Sequence, residues 1–181
     1  MAVRDDRSDV KQTTTGFRDP RHLIYQKQIP IPTGCLHSIS DGSVNASLTC
    51  LDLSHLNVAF NIKEEVSITT IDDYCAEKSI EHIDLLKVDV EGHEMSVFQG
   101  SARMLGENRV SMLAFEVSSG NVDTRVFFKE FYHFLKPLGF EIYRLTRSGY
   151  LFPIKNYSEH LEQFRATMFY AIRNDVLHAA S

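Results

Sequence analysis

The stretch IDLLKVDVEGHE, Ile83 to Glu94, decides how this chain is read. Its first six residues are mostly apolar, as a strand covered on both faces must be. Asp84 at the entry and Lys87 near the exit are the exceptions. Then Asp89, Glu91, Gly92, His93 and Glu94 arrive together. Ligands of open α/β sheets bind outside the carboxyl ends of the strands. Asp89 and Glu91 are two residues apart, so extended backbone points both the same way. Gly92 permits a tight turn at little steric cost. The pattern predicts a buried strand ending in an acidic rim, with a helix starting at once behind it.

That helix is read over HEMSVFQGSARML (93–105), where Met95, Phe98, Ala102 and Leu105 share one face. Glu94 falls in its first turn, where the helix dipole favours an anion. Gly100 either interrupts the helix or separates two shorter ones. Upstream, VSITT (66–70) is β-branched and extended, and IDDYCAEKSI (71–80) reads as a helix with Thr70 or Asp72 available as its cap. Downstream, strands are expected at 110–116, 140–146 and 167–173, in RVSMLAFEV, FEIYRLT and ATMFYAIRN. DTRVFFKEFYHFLKPLG (123–139) is an amphipathic helix stopped by Pro137-Leu138-Gly139. Only YSEHLEQF (157–164) offers a short helix before the last strand, which leaves room for that strand to return antiparallel.

Alternating strands and helices predict an α/β fold with a mixed, mostly parallel sheet formed by 66–70, 83–88, 110–116, 140–146 and 167–173. Residues 1–62 read as an irregular segment of loops and short strands, with VKQTTTGF (10–17) the best strand among them. Pro30 and Pro32 oppose helix there, and SISDGSVNAS (38–47) is turn-rich. The expectation is one domain, its α/β part in 63–181.

The composition narrows the function classes. With 181 residues, 43% hydrophobic and 24% charged, the chain is ordinary globular material. A net charge of −5 without a basic run gives nucleic-acid binding no electrostatic support. Three cysteines, Cys35, Cys50 and Cys75, lack CxxC spacing, so neither a disulfide framework nor a zinc site is indicated. A reducing, cytoplasmic location is the expectation. No apolar run is long enough to span a bilayer, and the charged N-terminus does not read as a signal peptide.

A further acid strengthens the rim. Glu116 closes the next strand at the same edge, and neighbouring strands lie roughly 5 Å apart. Three carboxylates meeting there repel unless a cation or a shared proton neutralises them. Oxygen ligands of this kind suit Mg²⁺ or Ca²⁺. Asp89, Glu91 and Glu116 are therefore candidate metal ligands, and Asp89, Glu91 and His93 candidate catalytic residues. The plainer alternative pairs Asp89 with Lys87 and leaves His93 facing solvent at a helix start. RSGYLFPIKNYSEHLEQF (147–164) is polar and aromatic enough to shape a site, or simply to link two strands; no ligand is assigned to it.

VSITTIDDYCAEKSIEHIDLLKVDVEGHEMSVFQGSARML resembles the segment that marks the FkbM-type methyltransferases. Thr69, Thr70, Asp72 and Asp73 match a V-x-V/I-T-T-L-D-D run. Ile83, Asp84, Leu86, Lys87, Asp89, Glu91, Gly92 and Glu94 match I-D-x-L-K-I/V-D-V-E-G-x-E. FQGSARML stands where the family has L-x-G-A, with Ser101 before Ala102, and LAFEV and FYHFLKPLGFEIYRL resemble the elements that follow. The resemblance covers about residues 63 to 174. It implies part of a class I, Rossmann-like methyltransferase fold, in which 83–88, 110–116, 140–146 and 167–173 are the fourth to seventh strands and the seventh runs antiparallel. It also implies S-adenosylmethionine as cofactor and a hydroxyl of a small molecule or glycan as acceptor.

The family's D-x-G-A-N-x-G cofactor loop and its ribose-binding acid have no match here, so no residue is assigned to the cofactor. The enzymatic reading is the acceptor side of an O-methyltransferase, in truncated form. The alternative is a degenerate, non-catalytic paralogue serving as a binding or dimerisation module. Without the family's first three strands, 83–88 becomes a sheet edge, which predicts self-association into a homo-oligomer.

Overall fold

A computed structural model describes residues 22–24, 33–39, 46–52, 54, 57 and 59–179. In chain order the elements are β1 (His22–Ile24), β2 (Thr33–Ser38), β3 (Ala46–Ser47), β4 (Ile62–Thr69), α1 (Ile71–Glu77), β5 (Ile83–Val88), α2 (Glu94–Gln99) and α3 (Ala102–Gly106). There follow β6 (Val110–Val117), α4 (Gly120–Thr124), α5 (Phe128–Leu135), β7 (Phe140–Leu145), β8 (Leu151–Ile154), β9 (Thr167–Arg173) and α6 (Asn174–Ala179). The strand read at 10–17 lies outside the described residues.

The strands form two sheets, ordered β1-β4-β2-β3 and β5-β6-β9-β7-β8. Two sequence expectations need correction. The strand at 66–70 is the end of β4 and belongs to the four-stranded sheet, not beside β5. The five-stranded sheet is also not mostly parallel by neighbours: only β5 and β6 pair parallel. β9 runs antiparallel between β6 and β7, and β8 folds back on β7 as a hairpin. That hairpin was missed because Pro153 argues against a strand; β8 is an edge, where proline is tolerated. By direction, β5, β6 and β7 still run the same way, since β6 and β7 both oppose β9.

The register separates two faces. Leu86, Val88, Leu113, Phe115, Phe169, Ala171 and Ile142 share the covered face, and all are buried. Phe98 of α2 and Phe128 and Phe131 of α5 close this core. Phe115 packs edge-on to Phe98 at 5.2 Å and stacks on Phe131 at 5.0 Å, while Phe128 stacks on Phe169 at 4.3 Å. Such ring pairs add to what area burial alone supplies. On the opposite face Leu85 is 39% exposed, and Met112, Tyr143 and Tyr170 are half-buried. Among the described residues no strand pairs with the outer edge of β5.

The helices follow local chemistry. Thr70 caps α1: its hydroxyl accepts the Asp73 N–H at 2.9 Å. Asp72 instead caps another helix, accepting the Arg103 and Met104 N–H groups of α3 at 2.9 and 3.0 Å. The helix read over 93–105 is two, α2 and α3, parted at Gly100 and Ser101. The helix read over 123–139 is broken, because Arg125 takes the left-handed conformation (φ 57°) between α4 and α5. The start of α5 is satisfied from outside: the Glu162 carboxylate accepts the Phe128 and Lys129 N–H groups at 2.8 and 3.0 Å. The Tyr157 hydroxyl donates to the same carboxylate at 2.9 Å, so part of the 147–164 linker serves as a helix cap.

Candidate functional site

The acids of the opening stretch stand where a parallel strand pair runs out. Val88 of β5 lies beside Phe115 of β6 in the register. One step further, Asp89 comes level with Glu116, on the face opposite the phenylalanine core. β5 ends because the chain turns sharply at Glu91 and Gly92, which have φ of 51° and 99°. A non-glycine residue in the left-handed region stores strain, which persists only where the surroundings impose it.

Those surroundings are identifiable. Glu94, only 1% exposed, turns its carboxylate back over the loop. Its Oε1 accepts the N–H groups of Val90 and Gly92, both at 3.1 Å. Its Oε2 accepts from the side-chain amide of Asn121 at 3.2 Å. Asn121, fully buried, accepts the Ser118 N–H on its Oδ1 at 2.8 Å. The turn thus ties to the end of β6 through two side chains. Gly92 also lies directly against Gly120.

From the other side, residues near β3 reach the same turn. The Ser47 hydroxyl donates to the Glu91 carbonyl at 3.0 Å. Thr49 Oγ1 meets His93 Nε2 at 2.9 Å. The Asp52 N–H donates to Asp123 of α4 at 3.0 Å.

The electrostatics mark one cluster. Burial pushes the Glu91 carboxyl up, and the charges of Asp89 and Glu94 push it further. Burial likewise raises Glu116, with Asp89 and Glu91 adding and Lys87 opposing. Burial raises Glu94 too, against the hydrogen bonds that favour its charged form. His93 is lowered by burial, which favours its neutral imidazole at neutral pH. Asp89 pairs with Lys87 at 2.9 Å in an exposed ion pair of the kind that contributes little stability.

Asp89, Glu91 and Glu116 are therefore brought together, with His93 following in the same turn. His93 is half-buried and held by Thr49, not facing open solvent. The cation site read from these three acids has no counterpart: among the described residues no three His, Cys, Asp or Glu side chains are placed to hold a metal ion. Lys87 is the cation that pairs with this cluster, through Asp89. Glu94 was read as a helix-dipole acid, and its inward turn had no local signal. Asn121, Ser47 and Thr49 were missed because their spacing in sequence says nothing of this contact.

At this rim no glycine among the described residues opens a backbone cradle for a cofactor such as S-adenosylmethionine. The two glycines at this rim, Gly92 and Gly120, pack on each other instead of opening a backbone cradle: an added Cβ would lie 2.5 Å from Gly120 O and 2.8 Å from the Glu91 carbonyl, respectively. No helix among the described residues is long and apolar enough to cross a membrane.

The family model described as Methyltransferase FkbM domain matches residues 21–142. It begins well before the motif at 66–73, so β1 to β3 fall within the match. No curated protein and no solved structure matches the chain.

Proposed function

Because the chain belongs to the FkbM methyltransferase family, we propose that it supplies the acceptor side of a methyl transfer from S-adenosylmethionine to a hydroxyl of a small molecule or glycan. The observation that carries the reading is the acidic rim itself, Asp89 level with Glu116 at the carboxyl end of β5 and β6 and Glu91 in the turn behind, where burial and the neighbouring charges raise the Glu91 carboxyl. A carboxylate whose pKa is pushed up is a better base near neutral pH than a free one. In this reading the acceptor hydroxyl hydrogen-bonds to Glu91 and gives up its proton there as its oxygen becomes the nucleophile. Asp89, paired with Lys87, orients the acceptor. Glu116 keeps the local charge negative, and His93, held by Thr49, lines the turn. No step is assigned to the cofactor.

We also read β5-β6-β9-β7 as part of a class I, Rossmann-like sheet. Three co-directional strands with one antiparallel strand inserted between the second and third support it.

The test is transfer of labelled methyl from concentrated S-adenosylmethionine to a panel of hydroxylated acceptors. Glu91→Gln should lower turnover about 100-fold or more while circular dichroism stays unchanged. Undiminished turnover in a folded variant assigns Glu91 to structure. A second reading, a non-catalytic binding or dimerisation module, is favoured by the edge of β5, which no strand among the described residues pairs, and by the exposed Leu85. Transfer by the wild-type chain that depends on Glu91 removes it.

A further inference from the structure

We propose that Glu94, locked by Asn121, is the positioning residue of the acidic rim: it holds Val90-Glu91-Gly92 in their strained turn and so sets the Glu91 carboxylate beside Asp89 and Glu116. The proposal rests on the reading of that rim as the acceptor site. Neither residue faces an acceptor, for Glu94 is 1% exposed and Asn121 is fully buried.

A buried carboxylate is expensive unless its oxygens are bonded. The carboxylate is distinctive in spanning two elements. One oxygen takes both free N–H groups of the turn, Val90 and Gly92. The other takes the Asn121 amide, whose own oxygen holds Ser118, two residues past Glu116. Glu91 lies between the two bonded N–H groups, at φ 51°. If those bonds are released, the left-handed conformation at Glu91 loses its support, and extended backbone there aims the side chain elsewhere. The same link fixes the turn against the strand end that carries Glu116.

The donor and acceptor pattern makes the pairing testable by exchange of roles. Asn121 donates to Glu94 and accepts from Ser118. Glu94→Gln has one oxygen for two sets of donors: facing Val90 and Gly92 it sets its NH2 group against the Asn121 NH2 group, and facing Asn121 it sets that NH2 group against the Val90 and Gly92 N–H groups, so the hold on the turn is weakened either way. Adding Asn121→Asp restores a donor facing an acceptor and still leaves an oxygen for Ser118.

Amide hydrogen exchange on the full 181-residue chain reads the outcome. Glu94→Gln should speed exchange at Val90 and Gly92 about tenfold or more, with Leu86 and Leu113 unchanged, and the double variant E94Q/N121D should recover most of that protection. Unchanged exchange at Val90 and Gly92 overturns the proposal. So does equal loss across β5 and β6, which marks a general core residue, and so does a double variant no better than the single. These readouts need no turnover. Wild-type methyl transfer by Glu91→Gln would remove the acceptor-site reading and leave the exchange result standing.

Discussion

Gly92 and Gly120 touch backbone to backbone: a Cβ on Gly92 would sit 2.5 Å from the Gly120 carbonyl oxygen, and one on Gly120 2.8 Å from the Glu91 carbonyl carbon. The obstructing atoms are main chain, so no side chain can swing aside. Gly120→Ala is expected to cost about 1–3 kcal/mol by displacing α4 from the turn, the size typical of overpacking. Gly92→Ala adds the strain of a Cβ at φ 99°. Urea denaturation of both variants measures this; midpoints equal to wild type would show that the two segments separate freely.

The acid cluster should make stability fall with rising pH. Glu91 and Glu116 have carboxyls raised above their unfolded values, so the folded chain holds more protons than the unfolded chain between those values. Their contribution is fully present below the unfolded carboxyl range and is lost as pH climbs through the raised values. Glu91→Gln and Glu116→Gln, which cannot ionise, are therefore expected to raise the melting temperature at neutral pH and flatten its acid-to-neutral slope. A lower melting temperature for both would mean that the carboxylates are net stabilising as charged groups.

Asp72 lies far from the rim yet sits in the family's motif. Its carboxylate accepts two N–H groups at the start of α3, and its carbonyl accepts from the Arg103 guanidinium at 2.7 Å. Asp72→Ala should cost about 1–2 kcal/mol, as loss of a helix cap does, while Asp73→Ala removes neither bond. Equal effects of the two substitutions in thermal melts would contradict the assignment of capping to Asp72.

Binding of S-adenosylmethionine by this chain is expected to be weaker than micromolar, since the rim glycines are occupied with each other. Titration calorimetry decides it, and a micromolar constant would place a cofactor site somewhere the described residues do not indicate.

The edge of β5, unpaired among the described residues, and the exposed Leu85 predict concentration-dependent association. Light scattering should give a mass above the 20.7 kDa of one chain, and Leu85→Lys should lower it. A monomeric wild type with a cooperative melt would show that the edge is covered.

Sequence and structure agree best where local pattern suffices. β5 and β9 lie at the expected bounds, 83–88 and 167–173, because apolar runs between turn signals leave few alternatives. Gly100 ended a helix as its position indicated. The failures are non-local. The partner of β4 depends on β2, whose residues carry no strong pattern. The break at Arg125 opposes a good amphipathic repeat and is held by the Arg125 and Val126 N–H groups bonding back to Val122 and Asn121. At the rim, Asp89 and Glu116 come level, as counting strand ends predicts, whereas the extended backbone expected over Asp89–Glu91 gives way to a turn with Glu91 at φ 51°. Glu94 and Asn121 were not legible, because an inward-turning acid in a first helical turn is written exactly like an outward one.

The place of β9 has a consequence for how the chain is made. β6 and β7 do not pair with each other; β9 lies between them, with Thr167 against Val117 and Arg173 against Phe140. It is the last of the five strands to leave the ribosome. Until then β7 and β8 form only a hairpin, and Phe115 and Phe128 both lack the ring of Phe169. The sheet therefore closes after synthesis has passed Arg173, in one late step that joins strands distant in the chain. A nascent chain stalled before Thr167 should remain open to protease along its whole second half.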